Sequence, residues 1–229
     1  MMNRRSALKT SAGFGFFLLA ADAQDKSVRP GINDNFKNPN VNDWVGRLET
    51  ESREPFAKRN EIVAATGIKA GDNVADIGAG TGLFTALFAS RVGEKGQVYA
   101  VDVAASFLGH IAETAEKQGF TNITPVLGSQ TSVNLPANSI DAAYVCDTYH
   151  HFEYPQKTLG SIRKALKPGG RLIVVEFHKI PGVSNAERIA HTRESQQELE
   201  SEVTQAGFKK VAELKPGLKE NYMLVFRKT

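Results

Sequence analysis

Asp147-Thr148-Tyr149-His150-His151 is the stretch of this chain best supplied with groups that can move a proton. Imidazole titrates near neutrality, so a histidine within about 3 Å of a nucleophile can act as its general base. His151 or His150 is the candidate base, held by Asp147 or Glu176. Tyr149, His178, His191 and Arg193 are further polar groups on the C-terminal side and are read as substrate contacts. Four of the five histidines follow residue 149. A metal site built from Asp147, His151, His178 and His191 would need a recognised ligand spacing, which no two of them show, so no metal is expected. Arg47, Arg53 and Arg193 are the cations that could pair with an acidic substrate. Cys146 is the only cysteine, which excludes an internal disulfide, and its place at the end of an apolar run suggests an inert buried thiol.

A second chemistry is written in Val74-Ala75-Asp76-Ile77-Gly78-Ala79-Gly80-Thr81-Gly82. Alternate glycines allow positive φ and a close approach of ligand to backbone, and N–H groups at a helix start suit an anionic group. A dinucleotide fingerprint would want Gly or Ala at position 83, where this chain has Leu83, which counts against NAD. Asp102 lies 24 residues after Gly78, at the end of a second apolar run, where a carboxylate can accept from both hydroxyls of a ribose. Turn and carboxylate together suggest an adenosine-like ligand rather than a free phosphate. The bland alternative is a glycine turn followed by an unrelated surface Asp.

Positioning these groups requires alternating strands and helices. Val74, Ala75 and Ile77 fit a strand covered on both faces, and Phe84, Leu87 and Phe88 follow at helical spacing. Val98 to Val101 reads as a second strand, Phe107, Leu108, Ile111 and Ala115 as a helix ending near Gly119, and Ile123 to Leu127 as a third strand confined to a sheet edge by Pro125. Ile140 to Cys146 is a fourth strand, Pro155 to Leu166 a helix, Lys167-Pro168-Gly169-Gly170 its stop, and Arg171 to Phe177 a fifth strand. This alternation predicts an α/β, doubly wound parallel sheet in the order 3-2-1-4-5, with the tip of the fourth strand at the crevice where the order reverses. A helical stretch from about Asn185 to Gln205 follows, then Phe208 to Leu214 and Tyr222 to Phe226 as a closing hairpin, which makes seven strands. Upstream, Asn42 or Asp43 caps a helix bearing Trp44, Val45 and Leu48, and Glu54-Pro55 starts a second through Phe56, Ile62 and Val63. Arg47, Glu49, Glu51, Arg53, Glu54 and Arg59 read mostly as a solvated face.

Together, Asp76 to Gly82, Asp102, Leu135-Pro136, Asp141, His150-His151 and Leu166-Lys167-Pro168-Gly169-Gly170 resemble class I S-adenosylmethionine-dependent methyltransferases, most closely the small-molecule type 11 methyltransferase domain, over roughly residues 60 to 180. The resemblance implies a Rossmann-like sheet of seven strands in the order 3-2-1-4-5-7-6, with strand 7 antiparallel, and S-adenosyl-L-methionine as cofactor. It implies that Asp76, Gly78, Gly80 and Gly82 hold the methionine part and Asp102 the ribose, with Ala79, Val103 and Asp147 as further cofactor-binding residues. Where the family often has an Asp after the third strand, this chain reads Gly128-Ser129-Gln130, so Ser129, Gln130 or backbone must anchor the adenine. Methyl transfer is an in-line displacement in which the protein mainly positions the partners. In this family a histidine in the segment after the fourth strand is often structural, which is the competing reading of His150 and His151.

Residues 1–23 carry Arg4-Arg5, an apolar run from Ser11 to Ala21 and an AxA-like Ala21-Asp22-Ala23, a pattern that resembles a twin-arginine export signal. Ala7 replaces the usual Phe, and the run is too short for a stable membrane span. Export to the periplasm is therefore expected, with a cytoplasmic location if the signal does not function. Without residues 1–23 the formal charge falls from +3 to +1. No Lys/Arg run interleaved with aromatics appears, so nucleic acid is not an expected partner. The expected organisation is a signal over 1–23, an N-terminal arm and helices over 24–60, and a methyltransferase domain over 61–229 acting on a small-molecule methyl acceptor. The alternatives are an exported S-adenosylmethionine- or nucleoside-binding protein without turnover, and a nicotinamide oxidoreductase, which lacks a Tyr-x-x-x-Lys pair here.

Overall fold

The computed structural model describes residues 24–229. The export-signal reading falls on residues 1–23 and lies outside the described residues. Asn73–Ile77 forms β1, with Val74, Ala75 and Ile77 at most 4% exposed, so the strand is covered on both faces as its apolar run requires. The chain then turns through Gly78, Gly80 and Gly82, all at positive φ (70°, 53° and 86°). A Cβ on Gly78 would stand 2.2 Å from Thr148 Cγ2, and one on Gly82 would stand 2.7 Å from Ile111 Cγ1. Glycine is needed at both for space as well as for dihedral angle.

The remaining strands are β2 (Gln97–Asp102), β3 (Ile123–Leu127), β4 (Ile140–Cys146), β5 (Leu166–Phe177), β6 (Phe208–Leu214) and β7 (Asn221–Lys228). They form one seven-stranded sheet in the order β3-β2-β1-β4-β5-β7-β6, with β7 antiparallel to both neighbours. Pro125 sits in edge strand β3 opposite Ala100, where its missing N–H can face away from the sheet. Side chains alternate cleanly about the sheet. Ala143 and Val145 of β4 and Leu172 and Val174 of β5 join one core, while Ala142, Tyr144, Ile173 and Val175 join the other.

The helices are α1 (Val41–Leu48), α2 (Glu54–Ala57), α3 (Arg59–Ala65), α4 (Leu83–Val92), α5 (Ala105–Gln118), α6 (Pro155–Ala165), α7 (Ala186–His191) and α8 (Gln196–Gln205). Four local expectations change. The cap of α1 is Asn40, whose Oδ1 accepts from Asn42 N at 3.1 Å, rather than Asn42 or Asp43. The helix from Glu54 breaks at Lys58, and α3 then runs across residue 60. Lys167-Pro168-Gly169-Gly170 is no simple stop: β5 begins at Leu166, and the segment bulges between the pairs Ile140–Leu166 and Ala142–Arg171. The expected long helix over 185–205 is two, because Ser195 and Glu198 form a reciprocal capping box that starts α8 afresh. No helix among the described residues is long and apolar enough to cross a membrane.

Candidate active site

The C-terminal ends of β1, β2 and β4, together with α1 and the arm before it, enclose a cavity of about 570 Å³. Ligands bind at this end of doubly wound sheets because the strand order reverses there. The first N–H groups of the glycine turn are spent inside the protein rather than on an anion. Gly78 N and Ala79 N donate to Val101 O at 2.8 and 3.1 Å, and Gly80 N donates to Asp102 Oδ2 at 2.9 Å. This suits a ligand without a phosphate.

Asp102 is 7% exposed and accepts from Ala104 N through Oδ1 at 2.9 Å as well as from Gly80 N. Burial pushes its carboxyl up, and the backbone N–H bonds oppose the shift. Asp76, 3% exposed, takes the Thr85 hydroxyl on Oδ2 at 2.6 Å. Its pKa is pushed up to about 7, first by burial and then by the charge of Asp102, with the Thr85 bond opposing. Val103, Ser129 and Gln130 also line the cavity. Gln130 Oε1 is engaged by Asn33 Nδ2 at 2.9 Å, and the same Asn33 amide donates to His151 O at 2.9 Å.

Beyond β4 the geometry redistributes the expected roles. Asp147 holds neither histidine: Oδ2 pairs with Arg53 and Oδ1 accepts from Asn221 Nδ2 at 2.7 Å. Burial raises its pKa to about 6, with Arg53 pulling the other way. Glu176 is the carboxylate on the imidazole, with Oε2 2.9 Å from His150 Nδ1 and both side chains at most 2% exposed. Burial alone would lower His150, but the charge and hydrogen bond of Glu176 outweigh it and leave the pKa raised. His151 behaves oppositely. Burial, then His150, His191 and Arg29, push it down to about 2, and its Nδ1 is buried with no hydrogen-bond partner among the described residues. As the base, His151 would hold a proton too weakly. His191 lines the cavity with its Nε2 3.4 Å from His151 Nε2.

Tyr149, His178 and Arg193 do not line the cavity, which corrects their reading as substrate contacts. Tyr149 is fully buried and donates to Glu202 Oε2 at 2.9 Å. Arg193 grips the same Glu202 in a two-pronged pair at 2.7 and 2.8 Å, and His178 packs beside Tyr222. Tyr149 leads the short 3-10 turn Tyr149–His151 and joins the core, while His150 and His151 on the same turn line the cavity. Cys146 lines the cavity, and burial pushes its thiol up, so it stays protonated.

The arm and α1 supply Phe36 and Trp44, which sequence patterns did not single out as site residues. Phe36, Trp44, Phe107 and His151 form an aromatic wall, with ring centroids 4.7 Å apart for Phe36–Trp44 and 5.1 Å for Phe36–His151. Arg47 lies over Trp44 at 5.4 Å. Arg53, read from sequence as part of a mostly solvated face and as a cation for an acidic substrate, instead reaches Asp147, and Glu54 turns inward to accept from Glu220 N and Asn221 N at 2.8 Å each. A polar run on a short amphipathic helix carries no mark of which members turn inward.

Among known proteins, residues 68–228 match the family model described as a methyltransferase domain. The ubiquinone/menaquinone biosynthesis C-methyltransferase UbiE of Pseudoalteromonas translucida is 35% identical over 122 residues, covering 53% of this chain and 49% of that protein. The chain spans about half the length of the curated relatives it matches. Among solved structures, a SAM-dependent methyltransferase from Aquifex aeolicus superposes with a TM-score of 0.73 at 23% identity, covering 84% of this chain and all of that one. The [4+2]-cyclase SpnF superposes at 0.62 with 17% identity over 76% of this chain and 82% of that one, so likeness at this level speaks for the fold alone. With the family model spanning the whole sheet, the chain belongs to the methyltransferase domain family, the S-adenosylmethionine-dependent enzymes that its sequence resembles.

Proposed function

We propose that this protein transfers the methyl group of S-adenosylmethionine to a small, planar aromatic acceptor. The observation that carries the reading is a single cavity running from Asp102 and the glycine turn to the wall of Phe36, Trp44 and His151. The residues fit the cofactor. Asp102 spends one lone pair on each oxygen and keeps others for ribose hydroxyls, and the missing side chain of Gly80 leaves backbone open toward Leu48, 3.5 Å from where a Cβ would stand. When bound, the cofactor supplies a methyl group already activated by a positive sulfur. The chain's own task is positioning, exclusion of water and care of the acceptor's proton. His150 is the side chain suited to the last, since Glu176 fixes Nδ1 and leaves Nε2 toward the cavity. The relatives' names place them in quinone biosynthesis, which agrees with a flat ring as acceptor.

Incubation with methyl-labelled donor and a panel of phenols and hydroquinones is expected to label at least one of them. Trp44→Ala should then raise the acceptor KM roughly fivefold, the equivalent of about 1 kcal/mol of aromatic contact, with S-adenosylhomocysteine affinity unchanged. A loss of S-adenosylhomocysteine affinity instead would assign the wall to the donor. The proposal includes export through residues 1–23, on the strength of Arg4-Arg5 and the apolar run after them. Changing Arg4 and Arg5 to Lys should hold the protein in the cytoplasm on cell fractionation. Normal export of that variant would reject the twin-arginine route.

A further inference from the structure

His150, His151 and His191 each offer a ring nitrogen within 4.8 Å of the other two, at the edge of the cavity. Two of them sit on the turn after β4 and the third at the end of α7, so the fold brings them together across 40 residues of sequence. No sequence spacing betrays this, and the expectation of no metal rested on a different foursome in which Asp147 and His178 took part.

We propose that these three histidines form a site for a divalent transition metal ion of the zinc type, with an open coordination position facing the cavity. Bonds of about 2.0–2.1 Å in a tetrahedral arrangement put ligand nitrogens roughly 3.4 Å apart. His151 Nε2 and His191 Nε2 already stand 3.4 Å apart. The widest pair must close by at most about 1.4 Å to reach that tetrahedral spacing, a shift the exposed ring of His191 on its six-residue helix can make.

Three further features belong to a metal centre rather than to three chance neighbours. His150 gives Nδ1 to the buried Glu176 carboxylate, the arrangement that orients a metal-binding imidazole and raises its donor strength. His151 has a buried Nδ1 without a partner among the described residues, so no protein acceptor pins its tautomer and the ring can turn a lone pair to an ion. Around the cluster lie more buried carboxylates than buried cations can satisfy: Glu194 is 1% exposed, and neither of its oxygens accepts a hydrogen bond among the described residues. Arg193 Nε, 3.3 Å from Glu194 Oε2, is itself shared with Glu202 through its other nitrogens. A divalent cation would offset that charge.

Three neutral imidazoles with a fourth open position is also the ligand set of a Lewis-acid centre. The inference rests on the proposed acceptor location for its chemical use, though not for its existence. An acceptor hydroxyl entering that position would lose its proton to solvent on coordination, and its oxygen or activated ring would then be held facing the donor end of the cavity. His150 would serve as ligand rather than as base.

The untagged full-length protein, stripped with chelator and titrated with Co²⁺ and then Zn²⁺, tests the site. One equivalent of Co²⁺ should bind with the intense visible absorption of a low-coordinate ion, and Zn²⁺ should displace it. Glu176→Gln should weaken binding by about 10- to 100-fold through the lost support of His150, and His191→Ala, an exposed ligand whose loss leaves the core intact, should weaken it more. His110→Ala, a change at a histidine outside the cavity lining, should leave binding as it was. Absence of stoichiometric Co²⁺ binding, or binding untouched by His191→Ala, overturns the site and leaves the His151–His191 contact as a simple hydrogen bond. Methyl transfer measured alongside separates the two readings: Co²⁺ binding without labelling of any acceptor sinks the acceptor proposal and leaves the metal site standing.

Discussion

Arg53→Met is expected to lower the stability of the folded chain by about 2–3 kcal/mol at pH 8, the cost of stranding a buried charge, capped because the Asp147 carboxyl can take up a proton instead. Its guanidinium pairs with Asp147, whose side chain is 4% exposed, and also donates to Leu48 O at 3.2 Å. Methionine keeps much of the volume and none of the charge. The deficit should depend on pH in a definite direction. Asp147 has a folded pKa of about 6, above its ordinary value near 3.9, so the folded state holds the proton more tightly than the unfolded state does. Its ionisation therefore costs stability as pH rises from about 4 through about 6. Arg53 reduces that cost, and removing it pushes the pKa higher still. The variant should be most deficient above pH 7 and approach the parent near pH 4, where Asp147 is protonated in both. Urea unfolding at pH 8 and pH 5 measures the difference. An equal deficit at both values would mean that Arg53 acts by packing alone.

Asp102→Ala should weaken S-adenosylhomocysteine binding by about 1.5–3 kcal/mol, or roughly 10- to 150-fold by calorimetry, if its carboxylate receives the ribose hydroxyls. The same side chain accepts Gly80 N and Ala104 N, so its removal also loosens the glycine turn that fixes the methionine end. Asp102→Asn separates the two contributions. It keeps one oxygen for one backbone N–H and sets its NH2 against the other, so it should melt between the alanine variant and the parent while losing the charged acceptor for the ribose hydroxyls. Unchanged affinity in both variants would place the ribose elsewhere.

How much of this was legible beforehand depended on whether the signal was local. β1, the glycine turn and Asp102 were readable because an apolar run, alternate glycines and a carboxylate at a set distance are one contiguous pattern, and Pro125 named the edge strand through its missing donor. The hairpin of β6 and β7 was legible for the same reason. The partner of His150 was left open between Asp147 and Glu176, because both end neighbouring strands and only the pairing of β4 with β5 decides which reaches it. Asp147 could not be assigned at all without knowing that Arg53 folds over it. Its own backbone gives a clue visible only in three dimensions: φ is +46°, a left-handed conformation that a non-glycine residue holds only where surrounding contacts enforce it. Tyr149 and Arg193 misled because adjacency in sequence was taken for a shared face. The Ser195-x-x-Glu198 box that divides the C-terminal helices was present in the sequence as a start signal and was passed over for the longer periodic run.

The fastening of α1 and α2 has a bearing on kinetics. α1 has no fully buried residue, and the covering is tied down by Arg53 on Asp147 and by the Glu54 carboxylate on the backbone of Lys219, Glu220 and Asn221 where β7 begins. Asn221 itself donates to Asp147, so the beginning and the end of the described chain meet on one carboxylate. Detaching such a cover breaks these polar links and the contacts of Phe36 and Trp44 with Phe107, but leaves every strand pair of the sheet intact. If this clasp opens as a unit, weakening the Arg53–Asp147 or Glu54 contacts should shorten ligand residence time without changing the strands that shape the cavity.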